Sequence, residues 1–452
     1  MRRVFCLGVW CLLAQAPIYA QAVRTTANPV QDSTTPVMPM DVASPSEEGL
    51  DINKLRVIDT IAQEAISRHA TPGCVVLIAR NGKVVWNKAY GALNYDGAEP
   101  VQVNDIYDLA SVTKVCATTV SVMKLFDEGR IDLGKTLGDY LPWLAGTNKA
   151  RLVIRDVMLH QAGLKAFIPF YKYVSTRQGD PKPGYFKDHL DSGYTVRVAE
   201  GMYMRDDYVD TMYHLIAESE LGPEGRYVYS DNDFILMGKV VEAVGGMPLD
   251  QYAQRFFYTP LGMTGTAFHP RERFPLQRIA PTEEERHFRR QLIRGDVHDP
   301  GAAMFGGVSG HAGLFSDAYD LAVLLQMLLN GGQMNGVRYI RENTIRYFSA
   351  YNSDVSRRGL GFDKPEKDNM LRRDPYPCKS ASPETFGHTG FTGTCIWVDP
   401  KYNLVFVFLS NRVCPEGENN LLLKLNTRGD IQEAIYKAME TSAPDTRLGR
   451  AD

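Results

Sequence analysis

The chain has 452 residues, of which 44% are hydrophobic and 23% are charged, an ordinary globular composition that suffices for one large domain or two smaller ones. Its formal net charge of −3 argues against nucleic acid or an anionic membrane surface as the main partner.

The first 22 residues have the organisation of a secretory signal peptide. Met1-Arg-Arg3 is basic, Val4 to Ala16 is apolar, and Ala20-Gln-Ala22 offers small residues at which a signal peptidase could cut. A membrane anchor is the alternative, but the apolar run is too short to span a bilayer. We therefore expect an exported protein, secreted or periplasmic, with no membrane span in the mature chain.

Residues 23–49 are rich in Pro, Ser, Thr, Asp and Ala and lack apolar periodicity, which predicts a flexible leader. We expect one folded domain over 50–442 and a flexible tail over 443–452. An odd number of cysteines at irregular spacing is not a disulfide framework, so most should be buried apolar residues. One bridge, between Cys378 and Cys414, stays open. The cysteines beyond the signal segment are Cys74, Cys116, Cys378, Cys395 and Cys414.

The two ends of the domain carry matching strand and helix patterns. Asp51 can cap a first helix, and a last amphipathic helix is predicted from about Asp430 to Met439. Asn81-Gly82 is a strong hairpin signal, because both turn positions favour positive φ. We predict an α+β fold in which both ends build one antiparallel sheet flanked by helices. The predicted strands are Cys74–Arg80, Lys83–Tyr90, Thr394–Val398 and Leu404–Ser410.

The middle of the chain, roughly 104–385, is predicted to be mostly helical, with long loops. The clearest helical patterns are Ser111–Glu128, Asp233–Val244 and Tyr319–Leu329. The stretch from Lys165 to Arg226 is rich in Tyr, Phe and Pro, and its length is typical of functional or disordered loops. Its aromatic residues favour a wall over a substrate cleft, while a merely structural insertion remains an equal alternative.

A first candidate for chemistry is Ser111-Val-Thr-Lys114. A serine that opens a helix keeps a free N–H and lies at the positive end of the helix dipole. Lys114, three residues on, lies on the same face and can reach the hydroxyl. The same spacing recurs at Ser121 and Lys124, but there the serine is inside the helix and should be structural. An ordinary N-cap serine beside a solvated lysine is the alternative for Ser111.

A second candidate, Tyr229-Ser-Asp231, lies in a loop just before a predicted helix. It offers a phenol or a hydroxyl as a proton shuttle, or it is simply a helix cap. The string also contains Ser230-Asp-Asn232, a triplet typical of penicillin-interacting enzymes. The sequence therefore leaves open whether Tyr229 or Ser230 is the shuttle.

A third candidate is His388-Thr-Gly390, which leads into a β-rich run. Glycine lets a substrate approach the strand edge closely, and the N–H of Phe391 could stabilise an oxyanion together with the N–H of Ser111. Alone, this string would be only a glycine-rich turn before a strand.

The three strings, their order, and the predicted sheet–helices–sheet arrangement resemble the serine β-lactamase and penicillin-binding protein superfamily. The likeness is to class C β-lactamases and related esterases and D-alanyl peptidases. Leu159-His-Gln-Ala-Gly-Leu164 and Gly306-Gly-Val-Ser-Gly-His-Ala-Gly-Leu-Phe315 look like landmarks of the helical region. The resemblance spans roughly residues 50–440.

The resemblance implies a role for each matched residue. Ser111 corresponds to the acylated nucleophile, Lys114 to its activating lysine, and Tyr229 to the relay tyrosine. His388, Thr389 and Gly390 correspond to the substrate-binding strand motif, with His388 where β-lactamases usually have lysine. Asp231, a further substrate-binding candidate, stands where they usually have asparagine. These two departures favour an esterase or a peptidase over a β-lactamase.

The sequence thus predicts a secreted serine hydrolase that forms an acyl-enzyme on Ser111 and hydrolyses an ester or an amide. Cell-wall peptides are among the substrates that this prediction allows. No cofactor is expected. His298-Asp299 and His311 lie near one another in the sequence and could be metal ligands. The sequence has neither the His-Glu-x-x-His spacing nor the paired-cysteine spacing of zinc sites. The alternative is a non-catalytic module that binds cell-wall peptides or glycans and keeps the motifs. Whether Lys114 acts as a base or as a cation is not readable from sequence.

Overall fold

The computed structural model describes residues 40–439. Its centre is a five-stranded antiparallel sheet built from both ends of that range. The strands are β1 Gly73–Arg80, β2 Lys83–Gly91, β3 Phe386–Thr389, β4 Cys395–Asp399 and β5 Leu404–Ser410, and they lie in the spatial order β3-β4-β5-β1-β2. Strands β1 and β5 join the two ends in register, with Cys74 opposite Ser410 and Leu77 opposite Val407, and the predicted α+β sheet is therefore confirmed.

The β1–β2 hairpin turns at Asn81 and Gly82, as predicted. Both residues have positive φ, 52° and 83°, which matches the right-handed twist of the paired strands. The hairpin places β1 beside β5 and leaves β2 at the edge of the sheet.

One face of the sheet is covered by helices from the two chain ends. The first predicted helix is two helices, α1 (Ile52–Leu55) and α2 (Val57–Ser67), with Arg56 between them. Asp51 caps α1 by accepting a hydrogen bond from the N–H of Asn53 at 2.9 Å. The last helix, Thr427–Met439, packs here too, and its Ile431 and Ile435 are fully buried in the same apolar cluster as β1 and β5.

The opposite face carries the helical region inserted between β2 and β3, together with most of the hydrophobic core. The helix Ala318–Leu329 lies directly on this face and is buried along nearly its whole length. The other α-helices of the inserted region are Val120–Asp127, Leu137–Tyr140, Ile154–Met158, Phe170–Tyr173, Tyr208–Glu218, Asp231–Gly245, Leu249–Ala253, Pro300–Met304 and Glu342–Ser349, and Leu421–Lys424 follows β5.

Short strand pairs connect these helices. Tyr107–Asp108 pairs with Phe315–Ser316, Pro281–Glu285 with Gln291–Arg294, and Gln333–Met334 with Val337–Arg338. The first of these pairs matters most for the site, because it fixes the chain immediately before Ser111.

The aromatic stretch from Lys165 to Arg226 is mostly a structured insertion. It holds the small sheet formed by Phe186–Lys187, Val196–Ala199 and Met202–Met204. Tyr208 is buried, and its ring packs edge-on against Tyr185. Phe167 is half-exposed and lines the cavity beside Ser111. The cleft wall therefore receives one aromatic ring from this stretch, and the other rings named here support the insertion itself.

The predicted leader, 23–49, overlaps ten described residues that are packed on the domain. The N–H of Val84 donates to the carbonyl of Asp41 at 2.8 Å, and Glu48 pairs with Lys83 at 2.9 Å. The folded domain therefore includes residues 40–49, earlier than the predicted start at 50. The predicted signal peptide, residues 23–39 of the predicted leader, and the predicted tail lie outside the described residues.

All five cysteines of the domain are buried and free, so the optional Cys378–Cys414 bridge is not formed. Burial as small apolar side chains accounts for them, as expected. Within residues 40–439, no helix is both long and apolar enough to cross a bilayer.

Candidate active site

Ser111 lies in a strained turn rather than at the start of a regular α-helix. Ala110 has a φ of +45°, an uncommon conformation for a residue with a Cβ. The Asp108 carboxylate holds this turn by accepting the N–H of Ala110 at 2.8 Å and that of His298 at 2.7 Å. The chain continues as a 3₁₀ turn (Ala110–Val112) and a π-helix (Lys114–Thr119) before Val120–Asp127 becomes α-helical. The predicted single helix is thus three segments.

Lys114 is fully buried, and its ammonium group makes three hydrogen bonds. It donates to the Ser111 hydroxyl at 2.9 Å, to a carboxylate oxygen of Asp231 at 2.7 Å, and to the carbonyl of His311 at 3.2 Å. Burial alone disfavours an ammonium, but the Asp231 carboxylate and the Tyr229 phenol outweigh it and raise the pKa of Lys114 above its ordinary value. Lys114 is therefore a cation at neutral pH.

The second Ser-x-x-Lys copy is structural, as predicted. Ser121 is buried and donates to the carbonyl of Ala117 at 2.6 Å, inside the helical segment. Lys124 forms an ion pair with Glu128 one turn along.

Tyr229 lies next to Lys114, and Ser230 points elsewhere. The Lys114 ammonium is 4.9 Å from the centroid of the Tyr229 ring, and Tyr229 lines the same cavity as Ser111. Ser230 is fully buried and donates to the carbonyl of Lys165 at 2.6 Å. Of the two side chains that the sequence left open, the geometry brings Tyr229 to Ser111 and keeps Ser230 away.

Strand β3 ends beside Ser111, and two threonines tie the turn after it to the chain before the serine. Thr392 donates to the carbonyl of Asp108 at 2.7 Å, and Thr394 donates to that of Leu109 at 3.2 Å. Gly390 is required by this close approach, because a Cβ there would lie 2.5 Å from the Leu109 carbonyl oxygen. Phe391 consequently borders the cleft opposite Ser111.

The backbone N–H groups of Ser111 and Phe391 are the candidate oxyanion donors. The first backbone hydrogen bond of the 3₁₀ turn runs from the N–H of Val112 to the carbonyl of Leu109. The N–H of Ser111 therefore lies before the hydrogen-bonded residues of the helical segment. Phe391 lies beyond the last paired residue of β3, Thr389. Both positions suit an oxygen that gains negative charge.

His388 is buried and uncharged. Burial, reinforced by the neighbouring Arg358 cation, lowers its pKa to about 3. Nδ1 lies 2.7 Å from the carbonyl of Thr389 and therefore donates to it, which leaves Nε2 to accept from Arg358 at 3.3 Å. The cation at this position therefore belongs to Arg358, which contacts His388 and also pairs with the Asp363 carboxylate at 3.4 Å.

Two cavities flank Ser111 and share Ser111, Tyr229 and Phe391. The carboxylate-lined cavity, about 420 Å³, is bordered by Asp231, Glu283, Asp299 and Glu418. The arginine-lined cavity, about 450 Å³, is bordered by His388, Thr389 and Gly390 together with Arg357, Arg358, Arg412 and Arg428. A substrate bound across Ser111 would meet opposite charges at its two ends.

The arginines were not identified from the sequence, since no spacing links them. Arg412 and Arg428 donate to backbone carbonyls, and no carboxylate pairs with either one among residues 40–439. Burial and the nearby Arg428 lower the pKa of Arg412 to about 10, so Arg412 stays cationic at neutral pH. Arg412 is buried and Arg428 is half-buried, and cations withdrawn from solvent without a counter-ion favour an anionic ligand.

Among residues 40–439, Asp231, Asp299 and His311 bring candidate metal-ligand atoms within 4.8 Å of one another. Each is already engaged: Asp231 with Lys114, and Asp299 with His311 at 3.0 Å. The Lys114 ammonium already provides positive charge beside Asp231. The three side chains therefore form a hydrogen-bonded wall beside Ser111.

Comparison with known proteins agrees with this geometry. The family model for Beta-lactamase matches residues 58–426. The chain is 32% identical over 439 residues to a "Putative D-alanyl-D-alanine carboxypeptidase" of Salmonella typhimurium strain LT2, covering 89% of this chain and 94% of the relative. A protein of the same description from Escherichia coli strain K12 is 32% identical over 434 residues, covering 88% and 93%.

Solved structures share the fold at lower identity. EstCE1, "a hydrolase with promiscuous acyltransferase activity", superposes with a TM-score of 0.61 at 21% identity and covers 85% of this chain and 99% of its own. A class C β-lactamase from Rhodobacter sphaeroides gives a TM-score of 0.58 at 18% identity, covering 84% and 99%. The family match and the curated relatives span nearly the whole domain, and the chain accordingly belongs to the Beta-lactamase family and is a serine hydrolase.

Proposed function

We propose that this chain is an exported hydrolase that forms an acyl-enzyme on Ser111, with D-alanyl peptides ending in a free carboxylate as its substrates. The observation that carries the proposal is the position of the Lys114 ammonium, within hydrogen-bond distance of both the Ser111 hydroxyl and Asp231. A serine hydroxyl held by a buried cation, beside free N–H groups at a strand end, is suited to acyl transfer.

The proton of Ser111 passes to Tyr229 in this proposal. Lys114 uses its three N–H groups on Ser111, Asp231 and His311, and as an ammonium it has no lone pair with which to accept a proton. To accept this proton, Tyr229 must act as a phenolate, and the Lys114 ammonium lies 4.9 Å from the centroid of its ring. Tyr229 then returns the proton to the leaving group and activates the water that releases the acyl group.

The oxyanion of the tetrahedral intermediate would be held by the N–H groups of Ser111 and Phe391. Removing one donor of this kind costs about 3 kcal/mol in the barrier. The threonine bonds from the β3–β4 turn to Asp108 and Leu109 keep the two donors in register.

The arginine-lined cavity supports a leaving group with a free carboxylate. Arg412 and Arg428 have no carboxylate partner among the described residues, and Arg358 contacts His388 beside Thr389. The description of the curated relatives as D-alanyl-D-alanine carboxypeptidases agrees with such a leaving group. With a neutral imidazole at 388 and Asp231 in place of asparagine, β-lactam hydrolysis is the less favoured activity.

Covalent labelling tests the acyl-enzyme. A fluorophosphonate and a fluorescent penicillin are each incubated with the wild type and with Ser111→Ala, and labelling is followed by gel fluorescence and intact mass. Labelling of the wild type alone is expected, because the catalytic residues act as a unit around one nucleophile. Equal labelling of both proteins would reject Ser111, and absence of labelling would favour a non-catalytic binding module.

A matched substrate pair tests the leaving group. An acyl-D-Ala-D-Ala peptide and its C-terminal amide differ only in the carboxylate, and we expect kcat/KM to be higher for the acid by about 10- to 100-fold, the worth of one charge-assisted contact. The preference should shrink in Arg412→Met and Arg428→Met, while a neutral short ester should be hydrolysed equally by all three proteins. Equal rates for acid and amide would favour an esterase.

A further inference from the structure

Two buried titratable side chains, His160 and Asp233, lie behind Tyr229 and take no part in the proton transfers proposed above. Both are 1% exposed, and their side chains are 2.7 Å apart, from His160 Nδ1 to Asp233 Oδ2. The His160 ring packs on the Tyr229 ring, with 4.6 Å between the centroids. The pair therefore supports the phenol from the side away from the cleft.

His160 also holds the backbone on both sides of Tyr229. Its carbonyl accepts the N–H of Val228 at 2.9 Å, and its Nδ1 accepts the N–H of Ser230 at 3.2 Å. His160 itself has a φ of +58°, so its ring and its carbonyl reach the same segment. One residue thus fixes Tyr229 through its ring, its carbonyl and its imidazole nitrogen.

The hydrogen-bond geometry determines where the protons are. Because Nδ1 accepts the N–H of Ser230, it carries no hydrogen of its own. An unprotonated Nδ1 and an ionised carboxylate would be two acceptors at 2.7 Å, a repulsive contact. We therefore assign Asp233 as a carboxylic acid and His160 as a neutral imidazole. The single lone pair of Nδ1 is shared, with the Asp233 O–H as the main donor at 2.7 Å and the Ser230 N–H as the weaker one at 3.2 Å.

The surroundings agree with this assignment. Asp233 Oδ1 and His160 Nε2 are buried without a partner among residues 40–439, which is least costly when neither group is charged. Burial, reinforced by the Asp231 charge, raises the pKa of Asp233 well above its usual range. Burial, reinforced by the Arg358 cation, holds the pKa of His160 well below its usual range.

We propose that His160 and Asp233 form an uncharged hydrogen-bonded pair that fixes the Tyr229 phenol against Lys114, and that both are positioning residues for the proton transfer from Ser111. The inference rests on the proposed function, because it assigns the pair a role in the same acylation step. A neutral pair fixes the ring without adding charge to a site whose balance depends on Lys114 and Asp231. Lys114, Arg358 and His388 face His160, and Asp231 faces Asp233. The rings of Tyr227, Tyr229 and Phe234 pack around His160.

Substitutions that separate shape from charge test the pair. Asp233→Leu and His160→Phe remove the hydrogen bond, whereas Asp233→Asn keeps a neutral donor to Nδ1. Active sites are counted with a fluorophosphonate, and acylation by p-nitrophenyl acetate is measured per labelled site over a range of pH. A misplaced phenol should slow acylation per site by about 10- to 100-fold in Asp233→Leu and His160→Phe with KM little changed. Asp233→Asn should recover most of this loss and keep the wild-type pH profile.

Two results would overturn the proposal. If Asp233→Asn is as damaging as Asp233→Leu, or shifts a limb of the pH profile, Asp233 acts as a charged carboxylate. If the variants lower only the number of labelled sites and the melting temperature, with an unchanged rate per site, the pair is merely structural. Asp320→Asn, a second buried acid that bonds Thr266 and Gly265, is the matched control and should leave the rate per site unchanged.

A spectroscopic readout separates failure of this inference from failure of the proposed function. The infrared difference spectrum between wild type and Asp233→Asn should show loss of one carboxylic-acid C=O band at neutral pH, whether or not Ser111 reacts. Loss of a carboxylate band instead would overturn the uncharged pair. A wild type that shows the acid band but does not label would refute the acyl-enzyme and, with it, the positioning role.

Discussion

At the scale of single residues, the site depends on charges that neighbouring side chains hold in place. Lys114 is kept as a cation by Asp231, while His388 is kept neutral beside Arg358. β-Lactamases usually have a lysine at this position of the strand motif. Here the positive charge belongs to Arg358, and His388 contacts it. The contact between them joins residues that lie 30 positions apart in the chain.

The buried neutral imidazole of His388 makes a pH-dependent contribution to stability. Its folded pKa of about 3 lies below the ordinary value of about 6.5, so below pH 6.5 the unfolded chain binds a proton that the folded chain does not. This contribution is therefore fully present above pH 6.5 and is lost as pH falls toward 3. Relative to His388→Gln, the wild type should lose up to about 1.4 kcal/mol of unfolding free energy per pH unit between about pH 6 and 4.

The measurement is urea denaturation of both proteins at constant ionic strength over that pH range. Taking the difference between the two proteins cancels the buried acids, such as Asp105, whose raised pKa values act in the opposite direction. A difference that does not change with pH would show that His388 titrates alike in the folded and unfolded states.

At the scale of secondary structure elements, the active site is a junction between the β3–β4 turn and the segment before Ser111. Thr392 and Thr394 make the two side-chain bonds across it, over sequence separations of 284 and 285 residues. Gly390 allows the approach, and the +45° φ of Ala110 directs the next residue into the cleft. The junction therefore orders the candidate oxyanion donors as well as the nucleophile.

Removing the two hydroxyls should weaken the junction with little change in side-chain volume. In Thr392→Val and Thr394→Val we expect a loss of about 1 kcal/mol of stability per bond and a larger fall in kcat than in affinity, since misplaced oxyanion donors act on the transition state. The measurements are urea midpoints and kcat against KM for a short ester.

Thr71→Val is the matched control for these variants. Thr71 is equally buried and donates to the carbonyl of Gly73 at 2.8 Å, at the start of β1 and outside the cavities around Ser111. It should lose similar stability and keep its kcat. If all three variants lost kcat in equal measure, the effect would belong to general destabilisation and not to the junction.

At the scale of the whole molecule, residues 40–49 are part of the fold. Val42 lies against the edge strand β2 in a bridge to Val84, and Arg80 donates to the carbonyl of Gly49 at 2.9 Å. The segment covers an edge that would otherwise present unpaired backbone groups to solvent.

Truncation measures the contribution of this segment. A chain starting at Leu50 should be less stable than one starting at Met40 by about 3 kcal/mol, since it loses a few backbone and ionic hydrogen bonds, and should melt several degrees lower. The rate per fluorophosphonate-labelled site should be the same in both chains. Identical melting temperatures would show that the segment adds nothing to the domain.

Much of this architecture could be predicted from the sequence because the responsible signals are local. The Asn81-Gly82 turn, the apolar runs of β1 and β5, and the order of the three strings indicated the sheet and the residues that meet beside it. The break at Arg56 and the π-helix after Lys114 were missed, because both depend on packing that apolar periodicity does not encode.

The non-local parts of the site could not be predicted from one sequence. Folding brings three arginines, Arg358, Arg412 and Arg428, to one cavity. Their spacing in the sequence matches no motif from which the cavity could be predicted. The choice between Tyr229 and Ser230 required knowing that Lys165 offers a carbonyl to Ser230. His160 belongs to the string Leu159-His-Gln-Ala-Gly-Leu164, to which the family resemblance assigns no role beyond that of a landmark. Its contact with Tyr229 is visible only in three dimensions.

The bonds from Thr392 and Thr394 to the chain before Ser111 have a consequence for biosynthesis. A ribosome that has released the first three hundred residues has made the nucleophile and its lysine but not the strand that completes the pocket. If the site acts as proposed, a partly synthesised or still-unfolded precursor therefore lacks the complete pocket and should not attack esters or amides around it. In the proposed mechanism, hydrolysis should begin only once the C-terminal strands have docked, which would make turnover a readout of complete folding.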